Sequence, residues 1–285
     1  MQVPGVLRRL SPAGRRFRRL LESLDLDPDA LPRPLAGPGP RDFLVCGSPR
    51  TGTALLAAAL WQPPRVVCVM EPWDAMRLPP RELFASLRAE IESGTLRRGR
   101  LDVSALLADG SVRWCRDGER PVPVRVEPGW SLGVKLPAFW RYLDRLPDTR
   151  FVVCVRSPID VIASYRATPG RLHDGLEYDT RFNRALNDEL LAATSDPAVR
   201  RVLLYDRVNA AILPHLGRAT VHVVRYERWF TDPDGLLHDL SSFLDVDLSA
   251  SRARVTRGDG SPLPADELEL VRRECRTAAA LGYEL

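Results

Sequence analysis

The stretch DFLVCGSPRTGTALLAAALW, Asp42 to Trp61, decides the fold. Phe43 to Cys46 are apolar and suit a buried strand, Gly47 to Thr53 read as a tight glycine-bearing loop, and Ala54 to Leu60 are strong helix formers. Strand, loop and helix in that order aim backbone N–H groups and a positive helix end at a phosphate. Gly47 and Gly52 have the G-x-x-x-x-G spacing of a nucleotide-triphosphate loop. Thr53, however, stands where that loop carries its Lys, and Ala54 where it carries the magnesium-holding hydroxyl. The positive charge sits at Arg50, at the front of the loop, from where it reaches a group bonded to the cradled phosphate. The stretch cradles a phosphate without the equipment of an ATPase, which points to a different phosphate-bearing donor.

A second segment, Arg150 to Arg166, repeats the layout. Phe151 to Val155 read as a strand buried on both faces, and Ser157-Pro158 with Asp160 reads as an N-cap, Pro at the first helical position and an acid in the first turn. Arg156 therefore falls at a strand's carboxyl end, beside a helix start. Ser164 lies two helical turns after Ser157 and presents its hydroxyl on the same face, within reach of an anion gripped by Arg156. Two anion clamps on neighbouring strand ends suit a nucleotide that carries phosphates at both ends of its ribose.

These residues carry a family resemblance. Gly47 to Thr53 resembles the 5'-phosphosulfate loop of the sulfotransferases that use 3'-phosphoadenosine 5'-phosphosulfate (PAPS), and Arg156-x-Pro158-x-Asp160 with Ser164 resembles their 3'-phosphate motif. Val223 to Glu227 followed by Asp232-Pro233, and a final helix closing at Leu281 to Tyr283, are similar to further family features. The resemblance runs from about Arg41 to the carboxyl end and sits closer to the carbohydrate-type and bacterial members than to the small-phenol type. It implies a single α/β domain of three layers, with a central parallel sheet and a P-loop-like phosphosulfate loop. It also implies transfer of the sulfuryl group of PAPS to a hydroxyl or amine without a metal.

On that reading Thr51, Gly52, Thr53 and Ala54 hold the 5'-phosphate, Arg156 and Ser164 the 3'-phosphate, and Arg50 meets the bridging oxygen and sulfuryl group, where the family more often uses Lys. Arg257-Gly258 resembles a late family contact to the 3'-phosphate, with Arg252 and Arg254 as competitors. In-line transfer also needs a base and positive charge on the transferred group. Glu71 closes the strand after the loop helix, and Glu71-Pro72 resembles the carbohydrate-directed members in which a glutamate near this place is the base. The alternative for Glu71 is an ion pair with a cleft Arg. The small-phenol members carry Lys-x-His-x-Pro. This chain reads Lys135-Leu136-Pro137 without His, so Lys135 is either a cation on the sulfuryl group or a structural ion-pair member.

The chain has 285 residues, 45% hydrophobic and 27% charged, enough for one large α/β core. Residues 1–40 read as a basic amphipathic helix to residue 24 and a Pro-rich arm, and residues 41–285 as the sulfotransferase domain. Arginines interrupt the first 24 residues, excluding a signal peptide, and no apolar run spans a bilayer; a cytoplasmic enzyme is expected. Five cysteines, three of them inside expected strands, read as reduced structural thiols. A net charge of +4 spread along the chain, with no zinc pattern or basic stripe, argues against nucleic acid and suits a basic funnel for an anionic nucleotide.

Strands are expected at 65–70, 132–136 and 220–226, and helices at 79–92, 102–108, 179–194 and 198–213. An irregular insertion at 113–128 should cover the acceptor cleft. Trp73, Trp130 and Trp140 are platform candidates, and His173 reads as a surface-loop residue. The expected acceptor is a sugar-containing molecule ahead of an aryl natural product. The rivals are a P-loop kinase of small molecules using ATP and a non-catalytic nucleotide-binding module.

Overall fold

The computed structural model describes residues 26–96, 101–102, 113–114, 122–178, 180–249 and 262–285. Five strands, β1 (Phe43–Gly47), β2 (Val66–Met70), β3 (Ser131–Lys135), β4 (Arg150–Val155) and β5 (Val221–Arg225), form one sheet in the order β2-β3-β1-β4-β5. All four neighbouring pairs are parallel. The helices of two turns or more are α1 (Thr53–Ala59), α2 (Pro80–Glu92), α3 (Pro158–Ala167), α4 (Arg184–Ala193), α5 (Pro197–Ile212), α6 (Pro233–Leu244) and α7 (Ala265–Glu274), and Arg228–Thr231 forms a single further turn.

The period of two along each strand sorts the core into two faces. Phe43, Val45, Cys68, Met70, Val152 and Cys154 pack with Leu56 of α1 and with Leu236 and Leu240 of α6. Leu44, Cys46, Val67, Val69, Val134, Phe151 and Val153 pack with Leu83 and Leu87 of α2, Val161 and Tyr165 of α3, and Leu204 and Val208 of α5. Helices cover both faces, which is why these strands read as continuous apolar runs without alternation. The expected three-layer parallel α/β fold is the one observed. Cys46, Cys68 and Cys154 are buried free thiols within it, and burial pushes the Cys68 and Cys154 thiols well up.

Four expectations need correction. Asp102, expected to open a helix, pairs with Arg113 in a two-residue antiparallel ladder, and residues 103–108 lie outside the described residues. The helix expected over 179–194 is a 3-10 turn, Arg181–Asn183, followed by α4, because Asn183 turns its side-chain amide to the Tyr178 carbonyl (3.2 Å). The described end of the insertion runs along the amino ends of the strands, where Glu127 N–H bonds the Pro64 carbonyl (3.1 Å), away from the strand ends that carry Glu71 and Arg156. The chain closes with a 3-10 turn, Ala279–Leu281, that is separate from α7.

The Pro-rich arm packs onto the domain from residue 26. The Arg145 guanidinium bonds the carbonyls of Pro28 and Leu31, Leu35 is buried, and its N–H bonds the Arg145 carbonyl (3.0 Å). The expected helix over residues 1–24 lies outside the described residues. Among the described residues no helix is long and apolar enough to cross a membrane.

Asp42 ties the sheet's amino edge together. Its buried carboxylate accepts from the N–H groups of Leu132 (3.1 Å) and Gly39 (3.1 Å) and from the guanidinium of Arg88, which lies 4.4 Å from the Trp130 ring centre. One side chain thereby joins β1, β3 and α2. Asp42→Ala leaves the Leu132 amide and the Arg88 guanidinium without their acceptor and should cost roughly 3 kcal/mol. Urea unfolding should show this as a lower midpoint at unchanged slope, and an unchanged midpoint would refute it.

Candidate active site

The register aligns the carboxyl ends of the strands. Gly47 pairs with Cys154, Cys154 with Val224, and Lys135 with both Val45 and Met70. The residues that follow, Ser48, Glu71, Arg156 and Tyr226, therefore emerge along one edge of the sheet. β1 lies between β3 and β4; the chain runs from it to β2 on one side, and the later connection from β3 to β4 crosses to the other, which opens the crevice where parallel α/β sheets take their ligands.

The 47–53 loop is shaped by contact with its neighbours. A Cβ on Gly47 would run into the Cys154 carbonyl, and one on Gly52, whose φ is 95°, into the Tyr226 ring. The Ser48 hydroxyl pairs with the Tyr165 hydroxyl at 2.7 Å. Thr51 turns its hydroxyl (2.7 Å) and its N–H (3.3 Å) to the Ser48 carbonyl, so Thr51 closes the loop on itself. The first helical bond of α1 runs from Leu56 to Gly52 (3.1 Å), which leaves the amides of Thr53 and Ala54 outside the helical ladder.

Arg156 follows β4 directly. Its guanidinium lies 4.1 Å from the Tyr226 ring centre, Nη2 is 3.3 Å from Asp160, and Nη1 donates to the Arg50 carbonyl at 3.4 Å. The Nε is buried without a partner. Tyr205 fixes the backbone here by donating its hydroxyl to the Arg156 carbonyl (3.0 Å). Pro158 opens α3 as expected, but the Ser157 side chain makes no capping bond. Glu227 supplies the acceptor instead: one carboxylate oxygen takes the Ser157 N–H and the other the Tyr283 hydroxyl, both at 3.0 Å. Local spacing could not show a cap that arrives from beyond β5.

The two expected clamps meet. Arg50 donates from Nε to the Ser164 hydroxyl at 2.9 Å, joining the loop to α3. Across the crevice, buried Lys135 forms an ion pair with Glu71, whose N–H bonds the Lys135 carbonyl at 2.7 Å. The Glu71 partner is thus Lys135 and not an arginine. Among the described non-glycine residues only Arg50 (φ 68°), Glu71 (φ 46°) and Asp245 (φ 56°) have positive φ. Asp245 merely ends α6. The other two are strained backbone at the carboxyl edge of the sheet, and such strain is retained where a site over-determines it.

Sequence reasoning missed Glu177 and Tyr178. They lie on the loop between α3 and α4, which has no periodicity to read. The loop is pinned by Asn187, whose side chain accepts the Glu177 N–H (2.9 Å) and donates to its carbonyl (3.1 Å). Glu177 is 4% exposed, and its Oε1 has no partner. Burial pushes its carboxyl up to about 7; the Tyr178 N–H, Arg141 and Lys135 oppose the shift and Glu71 adds to it. Tyr178 is 46% exposed and stands in the fields of Glu71, Glu177 and Arg50.

Other candidates fall elsewhere. Trp130 is buried at the amino end of β3 under Arg88, so it is no platform at the crevice, and half-buried Trp140 lies beneath Arg141 (4.6 Å). The side chain of Trp73, together with Arg257 and Gly258, lies outside what is described. His173 is on the surface loop, with Nδ1 2.6 Å from the Arg166 carbonyl. Among the described residues no group of three or more His, Cys, Asp or Glu side chains could hold a metal ion.

The Glu177 shift makes stability depend on pH. The folded state keeps this proton up to about pH 7, whereas the unfolded chain releases it near 4.5, so stability falls as pH rises across that window. A shift of that size corresponds to roughly 3 kcal/mol. Glu177→Gln should remove this component and be the more stable form at pH 8. Melting curves from pH 5 to 8 that fall in parallel for both proteins would exclude it.

The sequence model of the sulfotransferase family matches residues 42–250, which contain all five strands and both expected anion clamps. The nodulation protein NoeE of Sinorhizobium fredii (strain NBRC 101917 / NGR234) is 30% identical over 213 residues, 67% of this chain. This chain spans about half, 47%, of that relative's length. Among solved structures, the sulfotransferase domain from the curacin biosynthetic pathway is 17% identical over 82% of either chain, with a TM-score of 0.44. The sulfotransferase from Alicyclobacillus acidocaldarius is 17% identical over 88% of this chain and 98% of its own, also with a TM-score of 0.44. With the family model spanning the sheet, the cradle loop and the Arg156 segment, this chain belongs to the sulfotransferase family.

Proposed function

We propose that this protein transfers the sulfuryl group of PAPS to a hydroxyl of a sugar-containing acceptor. The observation that carries the reading is the convergence of the Gly47–Thr53 cradle, the Arg156–Ser164 clamp and the Glu71–Lys135 pair on one edge of the sheet. PAPS fits these residues in two respects. The buried Nε of Arg156 lacks a partner, and the amides of Thr53 and Ala54 lie outside the helical ladder of α1.

In this reading Gly52, Thr53 and Ala54 hold the 5'-phosphate, and Thr51 keeps the loop closed. Arg156 and Ser164 hold the 3'-phosphate, a role for which a forked, permanently charged guanidinium is suited. When bound, PAPS supplies a sulfuryl group on a good leaving phosphate. Arg50 and Lys135 place positive charge on the oxygens of that group and on the bridging oxygen, where charge grows as the S–O bond breaks. Glu71 takes the acceptor hydroxyl's proton as the new S–O bond forms. A sugar acceptor is favoured by the Glu71-Pro72 pair and its likeness to carbohydrate-directed members of the family. A cytoplasmic setting is favoured by the free thiols of Cys46, Cys68, Cys154 and Cys275.

Adenosine 3',5'-bisphosphate should raise the melting temperature, and ATP with magnesium should not; the reverse order would overturn the reading. Arg156→Ala should weaken the bisphosphate by about 10-fold or more and adenosine 5'-phosphosulfate far less. Equal losses for the two ligands would remove its assigned role. Glu71→Gln should lower kcat by about 10²–10⁴-fold at unchanged bisphosphate affinity, and undiminished turnover would exclude Glu71 as the base.

A further inference from the structure

The protein buries polar atoms that its own fold does not satisfy, among them a carboxyl oxygen of Glu177, which stands in the fields of Glu71 and Lys135. Nε and Nη2 of Arg141, on the turn Pro137–Tyr142, have no partner, and neither do Oε1 of Glu177 and Oγ1 of Thr180 on the facing loop. Arg141 and Glu177 act on each other electrostatically without forming an ion pair. Folded proteins rarely leave carboxyl and guanidinium atoms buried without a partner, and such atoms select ligands able to pair them. A hydroxyl is the smallest group that serves both, since it can donate to or accept from a carboxyl group while its oxygen accepts from a guanidinium.

The second observation is Tyr178. The strands and the interior of the molecule keep their aromatic rings buried, yet this one is 46% exposed, next to Glu177 and in the fields of Glu71 and Arg50. Its loop is held in place, with the Tyr178 carbonyl bonded by Thr180 N–H (2.8 Å) and by Asn183 (3.2 Å). A rigidly presented aromatic face at the reacting edge is a surface on which a ring can stack.

We propose that Tyr178 receives the ring bearing the accepting hydroxyl, and that a second hydroxyl of the same ring bridges Glu177 and Arg141, directly or through one water. Resting on the sulfotransferase reading, this deepens it: the acceptor presents at least two hydroxyls on one ring, as a pyranose or cyclitol does and a simple phenol does not. Glu177 and Arg141 are then specificity residues, since the reacting proton goes to Glu71.

The test uses the full chain, radiolabelled PAPS and a panel of methyl pyranosides, disaccharides and myo-inositol, set against cyclohexanol, 2-naphthol and hexan-1-ol. Polyhydroxylated rings should exceed the monohydroxylated alcohols in kcat/KM by about 100-fold. Tyr178→Ala should raise KM for the best polyol about 10-fold at near-constant kcat, and Tyr178→Phe should restore it. Glu177→Leu should shrink the polyol preference more than Glu177→Gln does, and every variant should bind adenosine 3',5'-bisphosphate as the parent does. If the parent fails to bind the bisphosphate, the sulfotransferase reading itself falls. If it binds, then equal use of the two alcohol classes, an unchanged KM in Tyr178→Ala, or no ring alcohol accepted at all overturns the inference.

Discussion

The close approach of β1 to its two neighbours is the constraint on which the site depends. Gly47 lies so near the Cys154 carbonyl, and Gly133 so near the Phe43 ring, that neither position has room for a Cβ. A side chain at Gly47 would push the carboxyl end of β4 away from the loop. Arg156 would leave with it, and the contacts that join the two clamps, Arg156 to the Arg50 carbonyl and Arg50 to Ser164, would open. The chemistry is thus held by backbone proximity in a parallel sheet, and the side chains add charge to a frame already set.

The charges are arranged unevenly around that frame. Lys135 has Glu71 and Arg156 has Asp160, but among the described residues Arg50 has no carboxylate within ion-pair distance and spends its Nε on the neutral Ser164 hydroxyl. A cation held by a neutral group keeps most of its attraction for an incoming anion, whereas an ion pair has already used it. The left-handed backbone at Arg50 and Glu71 fits the same arrangement: stability is given up at the two residues to which we assign the chemistry.

Much of this was legible in the residues. The continuous apolar runs of β1 and β4, the glycine spacing of the loop, Pro158 at the start of α3 and the strand-end places of Glu71, Lys135 and Arg156 are local patterns, and local patterns survive reading in one dimension. Glu227 as the cap of Ser157 was not legible, because the donor and acceptor are 70 positions apart and meet only when β5 lies beside β4. The loop of Glu177 and Tyr178 was equally silent, since nothing periodic marks a segment whose burial is decided by the turn that packs against it.

Sequence alone determined that a glycine-bearing loop without the lysine and hydroxyl of an ATPase precedes a second strand ending in arginine, because spacing along a strand, loop and helix follows from backbone geometry. Tertiary structure decided which groups are partnered and which are left open: the pairing of Glu71 with Lys135, the Arg50–Ser164 bond and the unpartnered Oε1 of Glu177. The reason is physical. A charge's state depends on distance and burial, and both are set by segments far apart in the chain that the sheet brings together.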